Sequence, residues 1–103
     1  MIQLSEDITL DSILKKEGKT LLYIGASWCG PCKKLKPQII NLESNYQDVS
    51  FYAADVDVNE ALCQDDRIQV ASVPMTVIIN NHIIRNEIVG NDFDGIQRVL
   101  NSL

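Results

Sequence analysis

Two cysteines separated by a glycine and a proline constrain this chain more than any other feature of its sequence. The segment Trp28–Cys32 (WCGPC) directly follows a short apolar run, Leu21–Ile24, and opens a stretch whose apolar residues have helical spacing. An apolar run of four residues is too short for a helix and predicts a strand that is buried on both faces. The cysteines are therefore expected where a buried strand passes into a helix.

The remaining apolar pattern predicts an α/β fold. We expect helices over Thr9–Glu17, Cys32–Tyr46, Asn59–Ile68 and Asp92–Leu103, the second containing Pro37 and the third capped by Asn59. We expect strands over Leu21–Ile24, Val49–Val58, Met75–Ile79 and Ile83–Val89, the last two forming a hairpin around Asn80–His82. This order predicts a single domain, residues 1–103, with a central mixed β-sheet flanked by helices on both faces.

The spacing of the two cysteines suits disulfide chemistry. Side chains three residues apart on a helix have Cβ atoms about 5–6 Å apart, and a modest adjustment brings them to the roughly 3.5–4.5 Å of a disulfide. Cys29 would lie at the helix N-terminus, where unpaired N–H groups and the helix dipole favour a thiolate. Cys32 would lie one turn further in, less accessible and placed to resolve a mixed disulfide. Pro31 suits the first helical turn, and Gly30 leaves the approach to the sulfur open.

Cysteines at this spacing also occur as structural thiols, zinc ligands or haem attachment points. Structural thiols are disfavoured because Cys-x-x-Cys beside a βαβ pattern is typical of redox sites. Candidate zinc ligands are Cys29, Cys32, Cys63 and His82. The last two are single residues on separate elements rather than a second closely spaced pair, which disfavours zinc. Haem attachment needs a histidine after the second cysteine, where this chain has Lys33.

Two isolated residues are expected to be structural. Cys63 is interpreted as a buried core thiol, since free cysteines are among the most buried residue types. The alternative for Cys63 is a regulatory or dimer-forming thiol. His82 is interpreted as a solvated turn residue.

The composition excludes several classes of protein. Nine Lys and Arg against fourteen Asp and Glu give a net charge of −5, whereas nucleic-acid binding needs clustered basic residues. No run approaches the roughly 20 apolar residues of a membrane span. The first residues, Met1–Asp7, lack the basic start and apolar run of a secretory signal. We therefore expect a cytoplasmic protein that binds neither nucleic acid nor membrane, with reactive or buried thiols rather than a disulfide framework.

Several motifs together resemble those of the thioredoxin family, over nearly the whole chain. Trp28–Lys33 is similar to the family's active-site motif in its commonest form, and Pro37 to its helix-kinking proline. Ser72–Pro74 resembles the loop whose cis proline faces the cysteines. Val89–Gly90 resembles the glycine turn beside the same site.

The resemblance implies a thioredoxin fold and a protein-disulfide reductase that acts by thiol–disulfide exchange, with Cys29 as nucleophile and Cys32 as resolving thiol. It implies that the backbone of Val73 pairs with an extended client peptide. The residues expected to contact the client are Trp28, Gly30, Pro31, Val73, Pro74 and Gly90. It implies a monomer with no cofactor other than the redox-active Cys29–Cys32 disulfide. Its expected partners are client proteins with disulfides and a thioredoxin reductase, since the chain has no dinucleotide-binding Gly-x-Gly-x-x-Gly motif.

The chain departs from the family pattern behind the cysteines. Tyr23 stands where the family usually has a buried Asp that assists deprotonation of the second cysteine, and Ala53 stands where a Lys often pairs with that Asp. Gly25 stands where many relatives have an aromatic residue. We expect proton transfer to and from Cys32 to use water or the Tyr23 hydroxyl. The alternative is that Tyr23 is a core aromatic whose hydroxyl is satisfied nearby.

Two other functions remain open from the sequence. One is a client-specific reductase or an oxidant. By resemblance, the Gly-Pro pair between the cysteines favours a reducing member of the family, and Tyr23 weakens that preference. The other is a binding module that uses this surface as a protein clamp, which the complete cysteine pair disfavours.

Overall fold

The computed structural model describes residues 1–103 as a five-stranded sheet with helices on both faces. The strands are β1 (Ile2–Gln3), β2 (Lys19–Gly25), β3 (Val49–Asp55), β4 (Met75–Asn80) and β5 (Ile83–Val89). The helices are α1 (Leu10–Leu14), α2 (Gly30–Leu42), α3 (Glu60–Cys63) and α4 (Phe93–Ser102), with a 3₁₀ turn at Glu43–Asn45. The spatial order is β1-β3-β2-β4-β5. The first three strands in this order are parallel, whereas β4 runs antiparallel to both β2 and β5. The predicted mixed sheet is confirmed.

The packing of the central strand β2 explains its apolar run Leu21–Ile24. Leu21 and Tyr23 face one side of the sheet, where they pack with side chains of α2 and α4. Leu22 and Ile24 face the other side, where they pack with side chains of α1 and α3. Successive strand residues point to opposite faces, so a strand covered on both sides has no position left for a polar residue.

The N-terminal strand β1 was not predicted. It has only two residues, Ile2 and Gln3, and it pairs in parallel with Tyr52 and Ala53 of β3. Both of its residues are exposed, so no alternation of apolar and polar side chains marks it. The predicted element order, which began with a helix, was therefore wrong at the N-terminus.

The predicted helices around the first half of the chain were right in place and wrong in extent. α1 begins after Thr9, whose hydroxyl accepts the Ser12 N–H, and ends at Leu14 rather than Glu17. α2 begins at Gly30 rather than Cys32 and ends at Leu42, with Pro37 inside it. The chain from Glu43 to Asn45 tightens into a 3₁₀ turn, as is common at helix ends.

The largest error in extent concerns α3, which ends at Cys63 rather than Ile68. The carboxylate of Asp65 accepts the backbone N–H of Arg67 at 2.9 Å, and this local bond competes with helix continuation. β3 likewise ends at Asp55 rather than Val58. There the Asn59 side chain accepts the Asp55 N–H at 2.9 Å and closes a turn.

The hairpin between β4 and β5 turns through two residues with positive φ, Asn81 at 49° and His82 at 72°. This combination is typical of a type I′ turn, whose twist matches that of the strands it joins. The exposed ring of His82 places Nδ1 2.7 Å from the carbonyl oxygen of Leu14. The predicted hairpin is confirmed, and the histidine is an exposed turn residue as expected.

None of the four α-helices combines the length and the apolar composition that a membrane-spanning helix needs.

One buried hydroxyl on β4 lacks a partner, and its removal should stabilise the protein. Thr76 is fully buried, and its Oγ1 makes no hydrogen bond. An unsatisfied buried hydroxyl costs roughly 1–3 kcal/mol, so we expect Thr76→Val to raise the free energy of unfolding by about 1 kcal/mol in urea titrations. Thr9→Val, which removes a helix cap, should lower it by a similar amount. Destabilisation by Thr76→Val would show that its hydroxyl has a favourable role.

Candidate active site

The two cysteines of the motif lie at the N-terminus of α2 and form a disulfide. Their Cα atoms are 5.3 Å apart, which lies within the usual range for a disulfide. Cys29 is the N-cap residue, and its Sγ accepts the backbone N–H of Cys32 at 3.2 Å. A cap residue has an extended backbone while its side chain points at the first turn. The strand-to-helix junction thus aims the sulfur of Cys29 at unpaired N–H groups.

The first turn of α2 carries little side-chain bulk next to Cys29. Pro31 lies in this turn, where its missing N–H leaves no hydrogen bond broken. A Cβ added at Gly30 would have no atom within 4 Å. Both cysteines are only 4% exposed in the disulfide form. The expectation that Cys29 is the more accessible of the two therefore does not hold for this state, in which each sulfur covers the other.

The residues predicted around Cys29 come from three separate loops. Trp28 is 67% exposed, and its indole Nε1 donates to Asp57 Oδ2 at 2.7 Å. The Val73–Pro74 peptide bond is cis, and Val73 packs against the core cluster that contains both cysteines. Gly90 has a φ of 86°, a backbone conformation that glycine adopts without strain. Its N–H donates to the Pro74 carbonyl oxygen at 2.8 Å.

Asp57 is a site residue that sequence reasoning missed. Its carboxylate orients the Trp28 ring by accepting the indole N–H. The signal that could have found it is its position just beyond β3, since the carboxyl ends of neighbouring parallel strands meet at one edge of the sheet.

Tyr23 lies in the core behind Cys32, opposite Ala53 of β3 and Thr76 of β4. It is 3% exposed, as a core aromatic would be. Only burial and the charge of Asp55 act on its hydroxyl, which has no hydrogen bond to a protein group, so the alternative of a hydroxyl satisfied by a protein neighbour does not describe it. Burial raises the pKa of Tyr23 above its ordinary value of 10.0, and the nearby negative charge of Asp55 raises this pKa further.

The third cysteine lies apart from this site. Cys63 packs on the sheet face covered by α1 and α3, whereas Cys29 and Cys32 pack on the opposite face. It is a buried thiol, as expected. Burial, and then the charge of Asp55, raise the pKa of Cys63 to about 11. No three His, Cys, Asp or Glu side chains come together as a metal site, so the four candidate zinc ligands do not converge.

The thioredoxin family model matches residues 2–102 of the chain. The chain belongs to the thioredoxin family. Its relatives include mitochondrial thioredoxin O2 of Arabidopsis thaliana, 31% identical over 82% of this chain and 53% of the relative. A thioredoxin of Geodia cydonium is 39% identical over 57% of this chain and 58% of the relative. The chain thus spans little more than half the length of these curated thioredoxins.

Solved structures of thioredoxins confirm the thioredoxin fold. The structure of Schistosoma mansoni thioredoxin superposes with a TM-score of 0.88 at 27% identity, covering 99% of this chain and 94% of the other. Oxidised thioredoxin O2 of Arabidopsis thaliana superposes with a TM-score of 0.84 at 30% identity, covering 99% and 92%. Both matches extend across the strand-to-helix junction that carries the cysteines.

Proposed function

We propose that the protein reduces disulfide bonds in client proteins by thiol–disulfide exchange. The observation that carries this proposal is the position of Cys29 Sγ, which accepts the Cys32 N–H at the N-terminus of α2. In the reduced protein the same donor and the helix dipole would stabilise a thiolate on Cys29. The thiolate is the species that attacks a disulfide.

The exchange proceeds in two steps. The Cys29 thiolate attacks one sulfur of the client disulfide, so that a mixed disulfide forms and the other client sulfur leaves as a thiolate. Cys32, one helical turn away, then loses its proton and attacks Cys29 Sγ. This second attack forms the Cys29–Cys32 disulfide and releases the remaining client sulfur as a thiolate. The client gains two electrons and the dithiol loses two.

The client would bind across the loops around Cys29. The backbone N–H and C=O of Val73 make no hydrogen bond within the protein, so they are free to pair with an extended peptide. Trp28, which precedes Cys29 in the chain, offers an exposed ring, while Gly30 and Pro31 add little side-chain bulk after it. The N–H of Gly90 donates to the carbonyl oxygen of Pro74, and this bond ties together the two loops that contain these residues.

The oxidised dithiol requires an electron donor, for which we propose a thioredoxin reductase. The chemistry needs no cofactor beyond the Cys29–Cys32 disulfide itself. A reducing compartment such as the cytoplasm would suit this role, and the names of several relatives place those proteins in mitochondria, a second candidate compartment. We propose that the protein acts as a monomer.

The reduction potential of the Cys29–Cys32 pair tests the proposed direction of electron flow. Thioredoxin itself is the reference case at about −270 mV, and we expect a similar value when the protein is equilibrated with dithiothreitol buffers and its thiols are counted by alkylation. Reduction of a peptide disulfide by the dithiol form should accompany it, and Cys29→Ser should abolish that reduction. A potential well above about −200 mV would instead identify an oxidant or isomerase.

A further inference from the structure

A cavity of about 530 Å³ opens behind Cys32. Its lining includes Tyr23, Gly25, Cys32 and Asp55, and none of the proposed client-contacting residues Trp28, Val73, Pro74 and Gly90 belongs to it. Solvent in this cavity therefore has a route to Cys32 that is separate from the face on which a client would sit. A volume of this size holds several water molecules, which matters when a bound client covers the other route.

The Tyr23 hydroxyl points into this cavity without a protein partner. The residue is more than nine-tenths buried, and its oxygen lies so close to Gly25 that a Cβ there would collide with it. Its oxygen is not one of the fully buried side-chain atoms that lack a partner, so solvent in the cavity can reach it and form a hydrogen bond with it. Because its pKa is raised, this hydroxyl stays protonated at neutral pH and can accept one hydrogen bond while donating another.

Asp55 supplies a carboxylate beside that hydroxyl. In the parallel register of β2 and β3 it is the partner of Gly25, the residue against which the Tyr23 hydroxyl lies. Asp55 Oδ1 accepts the Asp57 N–H at 2.8 Å, whereas Oδ2 has no partner in the protein. The other charged groups lining the cavity are Lys33 and Lys36 of α2. Both are cations, so Asp55 is the lining group that can accept a proton.

We propose that Tyr23 and Asp55, through solvent in this cavity, carry away the proton of the Cys32 thiol during the resolving step. The inference rests on the disulfide-reducing function proposed above and deepens it. It assigns to a hydroxyl and a carboxylate from two neighbouring strands the role that one buried acid has in the family pattern.

The proposed relay balances protons and electrons. With Cys29 held in the mixed disulfide, the Cys32 S–H proton passes to cavity water, and that water gives a proton to the Tyr23 oxygen. Tyr23 passes its own hydroxyl proton to a second water of the cavity. That water gives a proton to Asp55, which releases it to bulk solvent. The electron pair left on Cys32 Sγ forms the new bond to Cys29 Sγ. The bond between Cys29 and the client sulfur breaks at the same time, and its electron pair leaves with the client sulfur.

Single-turnover kinetics with Tyr23→Phe test the relay, because this change removes the hydroxyl and keeps the ring. Reduced protein is mixed with excess peptide disulfide and quenched with acid, and the mixed disulfide is followed by mass. General acid–base catalysis is worth about 10²–10⁴-fold in rate, and water remains in the cavity. We therefore expect decay of the mixed disulfide at pH 7 to slow by at least about tenfold, while its formation keeps its rate. The slowing should diminish as pH rises and the thiol ionises unaided.

Matched variants separate the relay from loss of packing. Asp55→Asn should slow the same decay. Tyr46→Phe should not slow it, although this change removes a surface hydroxyl bonded to Asn101. Asp48→Asn should not slow it either, although it removes an exposed carboxylate bonded to Lys19. Decay at the wild-type rate in Tyr23→Phe would overturn the relay, and decay at that rate in Asp55→Asn alone would overturn Asp55 as the proton acceptor. Failure of the wild-type protein to form any mixed disulfide would instead overturn the proposed function.

Discussion

Replacing Cys32 with serine should stop the reaction at the mixed disulfide. Cys29 would still attack a client disulfide, because its sulfur remains at the N-terminus of α2 beside the backbone N–H of residue 32. The serine hydroxyl cannot displace the client sulfur by thiol–disulfide exchange, since a thiolate is the attacking species. We expect turnover of a peptide disulfide to fall by at least about 10³-fold, while a one-to-one covalent adduct accumulates and is detected by intact mass and non-reducing electrophoresis.

The other two cysteines provide the controls for this experiment. Cys29→Ser should abolish turnover without accumulating an adduct, because it removes the nucleophile. Cys63→Ser should leave turnover unchanged, because Cys63 is buried on the opposite face of the sheet and its pKa is raised to about 11. Continued turnover by Cys32→Ser, or an adduct that forms through Cys63, would contradict the assigned roles.

Replacing Gly25 with alanine should destabilise the protein by about 1–3 kcal/mol. A Cβ at this position would lie within 3 Å of three atoms at the end of the Tyr23 side chain. Tyr23 is buried in the core cluster on this face of the sheet, so its ring must leave its packed position to make room for the Cβ. Urea unfolding of the oxidised protein, analysed by linear extrapolation, measures the loss of free energy.

A double-mutant cycle identifies the cause of that loss. In a Tyr23→Leu background the ring atoms are gone, and Gly25→Ala should then cost less than about 0.5 kcal/mol. Gly30→Ala is the matched control in the wild-type background, since an added Cβ there has no atom within 4 Å. An equal cost of Gly25→Ala with and without the Tyr23 ring would show that another contact is responsible.

The collision between Tyr23 and a side chain at position 25 follows from how β2 ends. Tyr23 and Gly25 alternate with Ile24 along the strand, so both point to the face that carries the cysteines. The tyrosine takes the space that a larger residue at position 25 would need. The two departures from the family pattern are therefore one coupled change, which leaves a hydroxyl rather than a carboxylate behind Cys32.

The chemistry of the site could be predicted from local sequence. The WCGPC segment after an apolar run places Cys29 at a helix N-terminus, because the strand, the turn and the proline in the first helical turn act within ten residues of one another. The apolar runs of β2 and β4 likewise predicted buried strands, since both of their faces pack against helices. Short-range patterns of this kind carry their own structural information.

The edges of the fold could not be predicted in this way. β1 is held by pairing with β3 across about fifty residues of sequence and has no apolar face of its own. α3 was predicted too long because its apolar spacing continues to Ile68, while the side chain of Asp65 binds the backbone beyond the helix end. In α3 a specific hydrogen bond outweighs a weak helical preference, whereas in β1 pairing with a distant strand creates an element that no local pattern marks.

That a cysteine pair opens a helix in an α/β domain follows from the sequence, because strand, turn and helix signals adjoin the motif. The surroundings of Cys32 on its buried side follow instead from the packing of the folded chain. The proximity of the Tyr23 hydroxyl to Asp55 arises from the parallel register that pairs Gly25 with Asp55, residues thirty apart in sequence. Register depends on the apolar patterns of both strands and on the helices that they pack against, so the residues around Tyr23 do not by themselves indicate which residue of β3 lies beside them.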